Sequence, residues 1–191
     1  VIHLKVTVYK QIDDLPYSVS NTGEVRNNRT GKVLKPYSGV SKSATYTFCV
    51  DLQKQYLSLV ALMRKYWRYE FIKDLADDEE CKPLRNHSDY FITSKGRVFS
   101  LKTYSWLQAN KSTRIYYHTH HSIDGNLMAT HRLVGRHFLP DFREDLNVLH
   151  TDEDLPSHLV NCVENLWLGT QQDNNDDKIS KGRANHTFGR L

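Results

Sequence analysis

The feature that most constrains the fold is an internal echo. Tyr17-Ser-Val-Ser-Asn-Thr-Gly-Glu-Val25 and Tyr90-Phe-Ile-Thr-Ser-Lys-Gly-Arg-Val98 align without gaps at an offset of 73. Tyr17/Tyr90, Gly23/Gly96, Val25/Val98, Thr30/Thr103 and Leu34/Leu107 are identical, and Val19/Ile92 and Ser20/Thr93 are similar. Each segment reads as a short strand, a tight turn and a second strand, with the glycine supplying positive φ. The later parts of the two halves also correspond. Ala44 to Leu52 reads as a strand and Leu57 to Trp67 as a helix with one apolar face. In the second half, Arg114 to Ser122 and Leu127 to Thr130 read as strands around an Asp124-Gly125 turn. His131 to Phe138 then reads as a helix that Pro140 stops. The order of turn, strands and helix implies two duplicated sheet-plus-helix units. Val1 to Tyr9 alternates like an edge strand ahead of the first.

Between the two units the pattern breaks. Asp77, Asp78, Glu79 and Glu80 form an acidic run, read as a solvated linker. After the second unit the chain gains something the first lacks. Asn147-Val148-Leu149-His150 is a short strand, Thr151 to Cys162 an irregular loop, and Asn165 to Gly169 a returning strand. Thr170 and Asp173 have the spacing of a capping box for a helix running to about Lys181, with Gly182 ending it. Strand, loop, strand and helix make a ββα unit.

The residues in that unit suit phosphodiester hydrolysis, which needs a base for water, a cation on the phosphate oxygens and a frame to align them. His150 could be the base, since neutral imidazole accepts a proton near the working pH. Asn174, in the first turn or so of the helix, offers a hard amide oxygen suited to Mg²⁺. Asn165 can bond across the loop and orient His150.

His150, Asn165 and Asn174 together resemble the His-Asn-Asn form of the HNH motif. Asn165-Leu-Trp-Leu-Gly-Thr-Gln-Gln-Asp-Asn174 and Lys181-Gly182-Arg183 look like phage HNH nucleases. His131-Arg-Leu-Val-Gly-Arg-His-Phe-Leu-Pro140 resembles the helix preceding the HNH core of homing endonucleases. Tyr17 to Arg26 resembles the small DNA-binding module that accompanies them. The resemblance touches most of the chain and is weakest over 68–88. It implies an α+β fold with two duplicated antiparallel sheet-plus-helix modules followed by a ββα-metal (His-Me finger) motif. It implies His150 as general base, Asn174 as ligand to Mg²⁺ (or Mn²⁺), Asn165 as the residue that positions the histidine loop, and products with 5′-phosphate and 3′-hydroxyl ends. One position departs: the residue before the histidine, often a metal ligand in the family, is Leu149. Asp173 or Asp177 is then the alternative source of a second ligand.

On this reading the chain divides into a first, DNA-binding repeat (1–72), an acidic linker (73–87), a second repeat (88–145), the nuclease motif (146–183) and a basic tail (184–191). The partner is double-stranded DNA, which the net charge of +4 fits. Arg26, Arg29, Lys32 and Lys35 cluster around the first hairpin as phosphate contacts, and Arg97 and Lys102 stand in similar places in the second copy. Arg132 and Arg136, and Lys181 and Arg183, are assigned the same role. Both copies in one groove would cover an extended site.

His118, His120 and His121 lie on a strand with no Cys or carboxylate to complete a zinc tetrahedron, so an exposed or DNA-facing strand is expected. Trp67, Trp106 and Trp167 are expected in the core. Three well-separated cysteines without a CxxC pair point to a reducing compartment. No membrane-spanning run or signal peptide is seen. The expectation is a cytoplasmic enzyme, phage-encoded in a bacterial host or organellar, a monomer or weak dimer without a small-molecule cofactor. The alternatives are a DNA-binding protein whose nuclease centre has decayed, and a structural or regulatory protein.

Overall fold

Short β-branched and aromatic segments alternate with turn residues along most of this chain, and they fold as small sheets closed by tight hairpins. The structure, a computed structural model, describes residues 6–37, 44–111, 119–156 and 158–182. It mixes short helices with small antiparallel sheets, an α+β fold. Two compact units are present. The first is Val1–Leu75 with Ser100–Ser105, and the second is Ala76–Phe99 with Trp106–Leu191.

In the first unit, β1 (Tyr9–Gln11), β2 (Tyr17–Ser20) and β3 (Val25–Asn27) form an antiparallel sheet in that order. Gly23, at φ +85°, makes the β2–β3 turn. The Ser20 hydroxyl accepts from the Glu24 amide across it at 2.8 Å. β4 (Thr45–Val50) and β5 (Gln53–Ser58) pair as a hairpin. The expected strand over 44–52 and helix from 57 are thus corrected. The chain reverses at Asp51 and Leu52, and Leu57 still pairs with Tyr46. Ser58 then switches role. Its hydroxyl accepts from the Ala61 amide at 3.2 Å and caps α1 (Leu59–Tyr66). Ile12, Val19, Val25, Phe48, Leu62, Met63 and Trp67 are buried together. The Trp67 indole N–H donates to the Val19 carbonyl at 3.2 Å, so its polar edge is satisfied within the core.

The second unit opens with a sheet of β6 (Cys81–Leu84), β7 (His87–Thr93), β8 (Val98–Ser100) and β9 (Ser105–Trp106) in that order, of which Ser100 and Ser105 belong to the first unit's segment. β10 (Asn110–Lys111), β11 (Thr119–Ile123) and β12 (Asn126–Ala129) form another, and α2 (Thr130–Phe138) comes directly after β12. Ile92, Val98, Ile123, Leu133, Val134, Val148 and Leu166 share its core. Positions paired in the sequence echo have matching surroundings. Val19 and Ile92, and Val25 and Val98, are fully buried in their own units. Gly96 has φ +79° where Gly23 has +85°.

The acidic stretch Asp77 to Glu80 is not solvated throughout. It runs into β6, and the Glu79 carboxylate is buried against Arg97, whose Nε donates to it at 2.8 Å. Burial works to raise the Glu79 carboxyl, but hydrogen bonds from Arg97 and Thr93 outweigh it and hold it below the usual carboxylate range.

β11 also differs from expectation. His118 lies outside the described residues, and His121 is buried at 1% exposure rather than presented to solvent or DNA. Its Nε2 lies 3.2 Å from the Gly96 carbonyl, while its Nδ1 has no hydrogen-bond partner. Burial pushes its pKa below the usual 6.5, with the Gly96 bond acting the other way. The folded state therefore holds a neutral imidazole, whereas the unfolded chain takes up a proton as pH falls through about 6.5. This contribution to stability is complete above that pH and declines below it, by at most about 1.4 kcal/mol per pH unit. Half-buried His137 is pushed the same way. Melting temperature should thus fall more steeply below pH ~6.5 in the wild type than in His121→Gln. Parallel pH profiles for the two proteins would exclude His121 as the source.

Candidate active site

In the second unit, β13 (Asn147–His150) pairs antiparallel with β14 (Leu166–Gly169), and only Thr170 separates β14 from α3 (Gln171–Ser180). Two glycines allow this packing. A methyl group on Gly135 of α2 would lie 2.6 Å from Val148 Cγ2. One on Gly169 would lie 2.8 Å from both Leu149 Cδ1 and Trp167 Cζ3, and 3.0 Å from Asp173 Cβ. Larger residues would push α2 or α3 off the hairpin. The Thr170 hydroxyl accepts from the Asp173 amide at 3.2 Å, and the Asp173 carboxylate accepts from the Thr170 amide at 2.7 Å. This capping box fixes the direction of α3. Bonds from the Thr170 hydroxyl and amide hold the Asp173 carboxyl below its ordinary range.

His150 ends β13 and is 6% exposed. Its ring lies 5.2 Å from that of His131, centroid to centroid. Asn165 closes a short helical turn just before β14, and its side chain binds the connecting loop in three places. Its Nδ2 donates to the carbonyls of Asp152 (2.7 Å) and Val160 (2.9 Å), and its Oδ1 accepts from the Asp152 amide (2.9 Å). Its own carbonyl accepts from the Thr151 amide at 2.8 Å. Asn165 therefore braces the loop immediately after His150. The hydrogen bond to the ring itself comes from a residue that the sequence pattern does not single out: Asn161, whose Oδ1 lies 3.1 Å from His150 Nε2. Asn161 also lines an open cavity of about 460 Å³, together with Lys95, Arg97, Trp106, His121 and His158.

Asn174 lies half-buried in the first half of α3, three residues before Asp177 and so on the same helical face. Two hard oxygen donors on one face fit a cation such as Mg²⁺, which keeps several waters and binds few protein groups. Leu149 contributes none. It is buried, with Cδ1 over Gly169 beside the start of α3. Asp173 is committed to the helix cap. Asp177 meets the Lys181 ammonium at 2.7 Å, and that ammonium also donates to the His150 carbonyl at 2.5 Å. No cluster of three or more His, Cys, Asp or Glu suited to a metal occurs among the described residues.

The basic residues divide sharply. Arg29, Lys32, Lys35 and Lys102 are exposed. Arg26 stacks over the Tyr9 ring at 3.7 Å, and Arg97 stacks over Trp106 at 4.2 Å while pairing with Glu79. Arg132 donates to the carbonyls of Leu146 (3.0 Å) and Glu144 (2.7 Å). Arg136 pairs with the Glu144 carboxylate at 2.8 Å. Lys181 is held by Asp177 and the His150 carbonyl, and Arg183 lies outside the described residues. Charge pairing within the fold, which the sequence does not display, engages much of the basic set.

No family model matches the chain. No curated protein matches it in sequence. Among solved structures, one of DNA binding and cleavage by the HNH homing endonuclease I-HmuI is similar at a TM-score of 0.47 and 28% identity. The match covers 56% of this chain and 61% of that one, less than two thirds of its length. A likeness at that score does not assign a family.

Proposed function

We propose that this chain is an HNH-type DNA endonuclease, with His150 as the base that activates water and Asn174 as metal ligand. The reading extends to a site-specific homing enzyme of the phage or intron type, built from two repeats and a His-Me finger. The observation that carries it is the seating of His150. The imidazole ends a strand, its ring is tied to Asn161, its loop is braced by Asn165, and the helix bearing Asn174 packs on the same hairpin. A histidine oriented this way takes the proton of an incoming water without having to reorganise first. Asn174, with Asp177 on the same face, would hold Mg²⁺ or Mn²⁺. When bound, the metal supplies positive charge to the scissile phosphate and the departing oxygen. Exposed Arg29, Lys32, Lys35 and Lys102 would hold backbone phosphates, fixing register without reading bases.

One site per chain predicts a single nick per encounter. Supercoiled plasmid incubated with the protein should therefore pass to the open-circular form with Mg²⁺ or Mn²⁺ and remain supercoiled in EDTA. DNA affinity should fall with salt at a log–log slope of about −3.6, from about 0.9 for each of the four exposed basic side chains. Metal-independent nicking, or a slope near zero, would remove the corresponding half of the proposal.

A second reading has its own observation. Leu149 buries apolar surface beside the start of α3, and the Lys181 ammonium sits on the His150 carbonyl and Asp177. Both features suit a centre that keeps the fold and binds DNA without cutting it. Salt-dependent binding with no cleavage on any substrate, including genomic DNA, would favour this reading.

A further inference from the structure

The hydrogen bonds behind His150 form a chain whose direction is fixed at its far end. The Thr119 carbonyl can only accept. The Thr130 hydroxyl donates to it at 2.9 Å, which uses that hydroxyl's single proton. The contact between the Thr119 and Thr130 hydroxyls, at 2.8 Å, must then take its proton from Thr119. With its proton spent, the Thr119 hydroxyl can only accept from Asn161, 3.0 Å away, so the Asn161 NH₂ group faces Thr119. The amide oxygen is thereby turned toward His150, 3.1 Å from Nε2. An amide oxygen only accepts, so Nε2 must carry a hydrogen. All members of the chain are buried, which strengthens each hydrogen bond.

We propose that Thr130, Thr119 and Asn161 form a tautomer lock, which holds neutral His150 with its proton on Nε2 and its lone pair on Nδ1. Which imidazole nitrogen is basic is set by the hydrogen bond the other makes. Here that bond is traced to a backbone carbonyl, so it does not depend on how any one side-chain amide is oriented. Asn161 and Thr119 are thus positioning residues: they act through His150. The catalytic consequence of the lock rests on the nuclease reading, but its existence does not. Only the tautomer of neutral His150 with its proton on Nε2 presents a base at Nδ1. Ionisable groups against His150 include His131 from α2 and the Lys181 ammonium on its carbonyl.

The test is long-range ¹H–¹⁵N NMR of the His150 ring in full-length protein, above the pH at which the ring protonates. The wild type should show a single tautomer with protonated Nε2 and unprotonated Nδ1. Asn161→Leu, close in shape but unable to accept, should show both tautomers. If it nicks DNA at all, it should do so about 10- to 100-fold more slowly, the usual scale for loss of an orienting partner. Asn161→Asp keeps an acceptor. It should retain the tautomer and move the acidic limb of the nicking profile to higher pH, because a carboxylate stabilises the imidazolium. Should Asn161→Leu fail to fold, Thr119→Val releases the amide to rotate and should give the same mixing. A wild-type ring protonated at Nδ1, or an unchanged tautomer in both Asn161→Leu and Thr119→Val, would overturn the lock. A correct tautomer in a protein that never nicks would sink the nuclease reading and leave the lock standing.

Discussion

His150→Ala should lower metal-dependent nicking by about 100- to 10,000-fold, the range that a positioned general base contributes. DNA affinity should be unchanged, because the side chain is buried and hydrogen-bonded to Asn161. Truncating a buried side chain also leaves a cavity, so folding must be separated from chemistry. His150→Gln does this. Its amide N–H can still donate toward Asn161, preserving the buried network, yet it cannot take up a proton near neutral pH. Equal losses in both variants, with melting temperatures close to wild type for His150→Gln, would place the base. Nicking by His150→Gln at the wild-type rate would move the base elsewhere, with His131 the next imidazole to replace.

Local chemistry was legible in the sequence where one residue type has one physical use. Gly23 announced a hairpin turn, and Asp124-Gly125 announced another, with φ of 51° and 83°. Thr170 and Asp173 announced a helix start. The β4–β5 hairpin was hidden because its turn uses Asp51 and Leu52, at φ 49° and 66°, where a leucine gives no signal. Its expected strand and helix were accordingly misplaced around a strand that went unseen. Asn165 could be found because it stands next to the returning strand and braces a loop close in sequence. Asn161 could not, since its partner Thr119 is 42 residues away and an asparagine in a loop has many bland uses. The basic residues show the same limit. Arg97 reads as a phosphate contact until Glu79, 18 residues earlier, is seen to hold it. Composition counts charges, whereas folding decides which of them remain available to a partner.

Leu149→Asp separates an active centre from a decayed one. Leu149 is 7% exposed, with Cδ1 packed over Gly169 near the start of α3. A carboxyl group there loses the apolar burial and must be desolvated, which should cost about 3 kcal/mol or more in metal-free protein. If this position faces the cation site, the new carboxylate becomes a ligand, and Mg²⁺ should recover part of that loss. At 100 times its dissociation constant a ligand stabilises by about 2.7 kcal/mol. The variant should therefore melt well below wild type in EDTA and gain markedly more than wild type on adding Mg²⁺, with its nicking rising in parallel. Mn²⁺ should act similarly, as another cation that prefers oxygen donors. An equal Mg²⁺ response in both proteins would mean that Leu149 does not stand in a ligand's place, and that Asn174 and Asp177 must hold any metal without it. A stronger response in stability without any nicking would mean that the cation site can be rebuilt while His150 stays idle, which is the behaviour of a decayed nuclease.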